Sequence, residues 1–120
     1  MEMKFYKFSQ NNSGGRFYLD DKTGIGVYMF IEATNANMAN YLAIELGLYF
    51  NGVSDGSDCD CCGDRWYHAD ESDAFSFDEA VKYVKKYSDL GYVNLKTTYF
   101  HFMNNKNFMN GDYAVTFIKE

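Results

Sequence analysis

The spacing of apolar residues changes along the chain between a period of two and a period near 3.6, which predicts both strands and helices. Alternation with period two predicts strands at Met3–Phe8, Arg16–Asp20, 25–33, 92–102 and 112–119. Both faces of the segment 25–33 carry large apolar residues, so we expect that strand to be well covered. The last two strands form a hairpin around the Asn-rich segment between them.

Two segments with helical spacing lie between these strands. The first helix begins after Thr34 or Asn35, whose side chains can accept a hydrogen bond from the first turn, and it ends at Gly47. The second begins at the capping box Ser76–Glu79 and ends at Gly91. Both helices carry an apolar stripe that predicts packing on a sheet.

The length and composition predict one domain over residues 1–120. The chain has no proline, and 19% of its residues are aromatic, which is ample material for one core. The expected fold class is α+β, an antiparallel sheet of about five strands with two helices packed on one face and an irregular Cys/Asp-rich loop. The aromatic content also makes a homodimer plausible.

The negative charge is concentrated in one stretch. Residues 55–73 hold seven acids and one base, so the formal net charge of −6 lies there. Because phosphate contacts need clustered Lys and Arg, this charge disfavours direct binding to nucleic acid and favours a basic partner. The chain also has no apolar run long enough for a membrane span, so we expect an intracellular protein that does not bind membranes.

The same stretch contains a C-x-x-C pair, Cys59 and Cys62, which is half of a structural zinc site. His68 is the nearest candidate for a third ligand, and His101, Cys61 or a neighbouring chain could complete the set. The neighbouring carboxylates attract cations but oppose thiolate formation. The alternative is that the cysteines are small, partly buried thiols in an irregular loop.

Two other kinds of site are less well supported. The acids at positions 55–60 could hold Ca²⁺, but their spacing does not match an EF-hand, and a solvated acidic loop explains them better. A catalytic cysteine would need His68 or His101 as a base and a lowered pKa, which the surrounding acids oppose. We therefore expect a protein that is not an enzyme and has no cofactor other than a possible zinc ion.

Two segments have the composition of a binding surface. The first segment, residues 11–15, offers amides and a hydroxyl that can bind anions or base edges. The second segment, residues 63–67, offers a guanidinium and two aromatic rings. The candidate ligand- or partner-binding residues are Asn11, Asn12, Ser13, Gly14, Asp64, Arg65, Trp66 and Tyr67. In the alternative interpretation, Arg65 pairs with an acidic neighbour, and Trp66 and Tyr67 anchor the loop to the core.

The segments YKFSQNNSGG (6–15), EAT…ANYLAIELGLYFNGV (32–53) and DCDCCGDRWY (58–67) resemble a family of small uncharacterised proteins encoded by tailed bacteriophages. The resemblance implies a phage accessory protein that works in the cytoplasm of the host bacterium. By analogy with other small phage proteins, it implies inhibition of an anti-phage immune system, as an anti-CRISPR does.

The expected function is therefore non-catalytic binding of a bacterial defence protein or sequestration of a nucleotide second messenger. The charge slightly favours the protein partner. Two alternatives remain open, which are a small zinc-binding interaction module and a nucleotide-processing or thiol-dependent enzyme.

Overall fold

The structure is a computed structural model that describes residues 2–11, 16–58, 63–103 and 106–115. Two 3₁₀ turns, Glu71–Asp73 and Leu95–Thr97, precede the third and fourth strands. In chain order, the strands and α-helices are β1 (Lys4–Ser9), β2 (Tyr28–Ala33), α1 (Ala36–Leu46), β3 (Ala74–Phe75), α2 (Phe77–Asp89), β4 (Thr98–Phe102), β5 (Asn107–Asn110) and α3 (Gly111–Ala114).

The five strands form one mixed sheet in the order β3-β1-β2-β4-β5. β1 is antiparallel to both β2 and β3, and β4 is antiparallel to β5. β2 and β4 are parallel, with Phe30 opposite Phe100. The α+β class is thus confirmed and the all-antiparallel sheet is wrong, because the chain returns to β4 through a helical crossover rather than a hairpin.

The two long helices lie on opposite faces of the sheet, so the expectation that both pack on one face is also wrong. Alternate residues of β1 and β2 enter two separate cores. One core combines Tyr6, Phe8, Met29 and Ile31 with Ala36, Ala39 and Ala43 of α1. The other combines Phe5, Phe30 and Phe100 with Ala80, Val81 and Val84 of α2.

The handedness of crossover connections explains this placement. The connection from β2 to β3 contains α1 and moves across the sheet in one direction, and the connection from β3 to β4 contains α2 and moves in the other. Parallel crossovers are almost always right-handed, so two crossovers in opposite directions place their helices on opposite faces.

The predicted starts of both helices and the predicted end of α1 are confirmed, whereas α2 ends at Asp89, two residues before the predicted Gly91. Asn35 caps α1 by accepting a hydrogen bond from the Met38 N–H, and Gly47 ends it at a φ of 110°. Ser76 and the side chain of Glu79 form the expected capping box of α2. Local signals therefore place both helices correctly.

The predicted strand at Arg16–Asp20 is wrong. Within the described residues, that segment makes only one bridge, between Asp20 and Ile25. The side chain of Gln10 binds the backbone of Tyr18 instead, donating to its carbonyl and accepting from its N–H. A side chain thus takes the place of a strand partner.

The predicted strand at 92–102 is only partly correct, and the predicted strand at 112–119 is wrong over its described residues, 112–115, while residues 116–119 lie outside the described part of the chain. β4 is limited to Thr98–Phe102, because a 3₁₀ turn occupies Leu95–Thr97. Its hairpin partner is Asn107–Asn110, inside the segment expected to be the loop, and residues 111–114 are helical. The Asn110 side chain caps that helix by accepting from the Asp112 N–H, which ends the strand.

Candidate functional site

An internal ion pair organises the loop that leads to β3. The Asp58 side chain is fully buried, and the Arg65 side chain is 13% exposed, with Arg65 Nε 3.7 Å from Asp58 Oδ1. Asp58 Oδ2 also accepts from the Arg65 backbone N–H at 2.7 Å, and Oδ1 accepts from the Tyr49 hydroxyl at 3.0 Å. The charge of Arg65 is therefore balanced inside the fold. This agrees with the alternative interpretation, in which Arg65 pairs with an acidic neighbour.

Arg65 also joins this loop to the end of β1. Its Nη1 donates to Gln10 Oε1 at 2.7 Å and to the Arg16 carbonyl at 2.9 Å. The Asn11 N–H donates to the Arg65 carbonyl at 2.8 Å, and Asn11 Nδ2 donates to the Asp64 carbonyl at 3.2 Å. The two predicted binding segments thus lie side by side at Asn11. The other predicted residues of the first segment, Asn12, Ser13 and Gly14, lie outside the described residues.

The remaining residues of the second segment differ in exposure. Trp66 is buried in the core beneath α1, whereas the Tyr67 side chain is 57% exposed. Asp64 Oδ1 accepts from the Val53 N–H at 2.8 Å. Tyr67 is the member of this segment that presents an open aromatic surface.

The zinc prediction stays a prediction. Cys59 and Cys62 lie outside the described residues, and His68 stacks on Phe50 with ring centroids 4.1 Å apart. In the part of the chain that the structure describes, no three His, Cys, Asp or Glu side chains are grouped as metal ligands would be.

A groove of ≈ 560 Å³, which no sequence pattern predicts, lies between α1 and the β4–β5 hairpin, and we call it the α1–β5 groove. This volume lies in the range of small-ligand sites. The lining residues that matter for its chemistry are Ile31, Glu32, Tyr41, Glu45, His101 and Phe108.

The topology explains why a groove forms there. β2 and β4 are parallel, so their carboxyl ends lie at the same edge of the sheet. There the chain continues from β2 into α1 and from β4 into β5. Connections that diverge from adjacent parallel strands leave a crevice outside the strand ends. Glu32 lies at this edge, where its Oε1 accepts from the Met103 N–H at 3.0 Å.

His101 forms part of the groove floor and is 6% exposed. Its Nε2 lies 2.7 Å from the Gly24 carbonyl, which can only accept, so Nε2 carries the hydrogen. Burial lowers the pKa of this imidazole, although the hydrogen bond to Gly24 partly opposes the shift. The neutral ring therefore keeps a lone pair on Nδ1 as an acceptor.

A second, smaller groove of ≈ 360 Å³ lies along the other side of α1, where Ile44, Tyr49, Phe50 and His68 line it. The ridge between the two grooves is the outward face of α1. Tyr41 and Ile44 on this ridge are 58% and 55% exposed.

The outward face of α2 is different, because it carries Lys82, Lys85, Lys86 and Asp89. A charged outer face is usual for a surface helix, whereas a helix that is apolar on most sides is usually covered. α1 differs in exposing two large apolar side chains, Tyr41 and Ile44, beside the polar Asn37 and Glu45.

Among the described residues, neither long helix has the length and apolar character needed to cross a bilayer.

The similarity of the chain to known proteins is at the level of a domain family. No curated protein matches the chain, and no solved structure does. A family described as a domain of unknown function matches residues 3–117, which is nearly the whole chain. The chain therefore belongs to this family, Domain of unknown function (DUF7296).

Proposed function

We propose that this protein is a non-catalytic inhibitor of a bacterial anti-phage defence system and that it acts by binding a host defence protein. The observation that carries the proposal is the pair of large apolar side chains exposed on the outward face of α1. Tyr41 and Ile44 stand exposed between two grooves, and large aromatic and aliphatic side chains flanked by grooves are typical anchors of protein interfaces.

The charge supports a basic protein partner over a nucleotide second messenger. The chain carries a formal net charge of −6, and two carboxylates, Glu32 and Glu45, face the larger groove. Phosphate groups would meet repulsion there, whereas a basic protein surface would be attracted and would associate faster.

The acidic loop contributes to this function indirectly. The Arg65–Asp58 pair fixes the loop that carries His68, which stacks on Phe50, and both rings line the smaller groove beside α1. The loop thus shapes one side of the proposed binding face.

The proposal is tested with two matched substitutions. Ile44 and Leu90 are 55% and 58% exposed, and each lies near the carboxyl end of a long helix, where a lysine suits the helix dipole. I44K places a charge on the proposed interface, and L90K places the same charge on the other helix. Each variant is produced in bacterial strains that carry different defence systems, and plaque formation by phages is counted.

We expect the wild-type protein and L90K to restore plaques in at least one strain and I44K to fail there. Loss of an apolar anchor at an interface costs about 2 kcal/mol, which weakens binding about 30-fold. Circular dichroism shows whether I44K is folded. The proposal is wrong if no defence system is inhibited, or if folded I44K inhibits as well as L90K.

A further inference from the structure

We infer that the α1–β5 groove binds the guanidinium group of an arginine side chain presented by the host protein. This inference rests on the proposed function, because it names the chemistry by which the same face recognises a basic partner. Three features of the groove lead to it, namely its hydrogen-bonding groups, its walls and its size.

The charged side chains of the groove are mainly acidic. Glu32 and Glu45 supply carboxylate oxygens, although Glu32 Oε1 also accepts from the Met103 N–H and Glu45 from the Tyr41 hydroxyl, and His101 keeps a lone pair on Nδ1 because its Nε2 hydrogen is used by the Gly24 carbonyl. Lys106 is the single cation among the described lining residues. Two carboxylates and a neutral imidazole facing one ammonium favour an occupant that is positively charged and rich in donors.

The walls fit the rest of an arginine side chain. Leu42 and Leu46 of α1 face Ile31 of β2 and provide apolar contact for its three methylene groups. The rings of Tyr41 and Phe108 also line the groove and can stack on a planar guanidinium. A lysine ammonium lacks this planar surface, which is why we infer arginine.

The size agrees with a side chain delivered by a protein. A volume of ≈ 560 Å³ exceeds what one side chain fills, so the groove has room for the flanking backbone as well. The exposed ridge of Tyr41 and Ile44 borders it, so a partner resting on this ridge could insert a side chain beside it.

The test uses a defined probe and its neutral isostere. N-acetyl-L-arginine methylamide and N-acetyl-L-citrulline methylamide are titrated separately into the ¹⁵N-labelled protein, and amide shifts are followed by nuclear magnetic resonance. We expect shifts at Glu32, His101 and Phe108 with the arginine probe. We expect the citrulline probe to bind about tenfold more weakly, because charge-assisted hydrogen bonds are about twice as strong as neutral ones.

Two double variants with the same change in net charge locate the site. E32Q/E45Q removes the groove carboxylates, and the amide oxygen that E32Q introduces can still accept from the Met103 N–H, so the strand end is preserved. E2Q/D89N removes two exposed carboxylates that do not line the groove. The arginine probe should lose its groove shifts with the first variant and keep them with the second.

The inference is overturned if both probes shift the groove equally, if neither does, or if E32Q/E45Q binds the arginine probe as tightly as E2Q/D89N. Tighter binding of the free polyamine spermidine would also overturn it, in favour of a small-molecule ligand. These outcomes are independent of the infection assay. If I44K fails to inhibit the defence system and neither probe shifts the groove amides, the proposed function is retained and the arginine contact is discarded.

Discussion

Replacing Gly52 with alanine should destabilise the protein strongly, because Gly52 makes room for the buried Asp58 carboxylate. A methyl group at position 52 would overlap Asp58 Oδ2 and Cγ and would lie 2.9 Å from Tyr49 Cε2. The Asp58 backbone N–H also donates to the Gly52 carbonyl at 2.9 Å, which holds the two residues together. The carboxylate must therefore move out of its site in G52A.

The magnitude follows from the interactions that Asp58 would lose. It accepts hydrogen bonds from the Arg65 N–H and the Tyr49 hydroxyl, and it balances the mostly buried Arg65 guanidinium. Separating one partner from a buried ion pair costs about 3–5 kcal/mol. We therefore expect G52A and D58A each to lower the free energy of unfolding by about 3–5 kcal/mol, a large part of the roughly 5–15 kcal/mol of a typical domain.

The two substitutions should not be additive. D58A removes the group with which the new methyl collides, so G52A/D58A should be less stable than D58A by only about 1 kcal/mol or less, whereas independent effects would make it less stable than D58A by about 3–5 kcal/mol. G56A is the control in the same loop. Gly56 has no heavy atom within 4 Å of an added Cβ, so its substitution should cost only the strain of its φ of 86°, about 1–2 kcal/mol.

Urea denaturation followed by tryptophan fluorescence measures these values. Trp66 is the only tryptophan of the chain and is 1% exposed, so its emission reports unfolding next to Arg65. Additive losses for G52A and D58A, or a loss for G52A no larger than that for G56A, would refute the idea that Gly52 accommodates a buried charge.

Three further changes test other parts of the structure. Because burial lowers the folded-state pKa of His101 below its ordinary 6.5, the unfolded chain binds more protons as the pH falls through that value, so stability should decrease below about pH 6.5. H101N should flatten this slope between pH 7 and 5.5 in urea titrations, and an unchanged slope would contradict the buried neutral ring. S76A removes the cap of α2 and should cost about 1 kcal/mol by chemical denaturation, while S76T should cost less. Glu71 accepts from both the Tyr6 hydroxyl and the Ala36 N–H, so E71A should cost about 2 kcal/mol in the same assay, and a value near zero would show that water replaces both bonds.

The two long helices could be predicted because their signals are local. The Asn35 cap, the Gly47 stop and the Ser76–Glu79 capping box each act over a few residues, and the structure confirms them. β1 and β2 were recognised from their alternating apolar residues, to within a few positions at each end. The α+β class follows from these elements alone.

Pairing between strands was less predictable because it depends on distant residues. The parallel contact of β2 with β4 follows from the crossover through α2, which no local pattern encodes. The segment 107–110 contains two asparagines, which favour turns, and it becomes a strand because β4 offers an edge. Tertiary contact thus outweighs local preference there.

In the candidate site, too, the features that depend on distant residues could not be predicted. The sequence suggested that Arg65 binds an anion or pairs with a neighbouring acid, and the choice between them depends on the burial of Asp58, which is a three-dimensional property. The α1–β5 groove brings Glu32, Glu45, His101 and Phe108 together from four elements. The one signal available in the sequence was the position of Tyr41 and Ile44. These two large apolar residues lie on the side of the predicted helix where polar residues are expected.

The parallel pairing of β2 with β4 also affects the order in which the molecule is assembled. β2 is the central strand, and its Met29, Phe30 and Ile31 are almost fully buried. One of its two neighbours, β4, is synthesised only after α1, the acidic loop, β3 and α2. Pairings between residues far apart in sequence form slowly, since a long loop must close first. Throughout that interval the growing chain exposes an apolar strand edge, the kind of surface that aggregates and that chaperones bind.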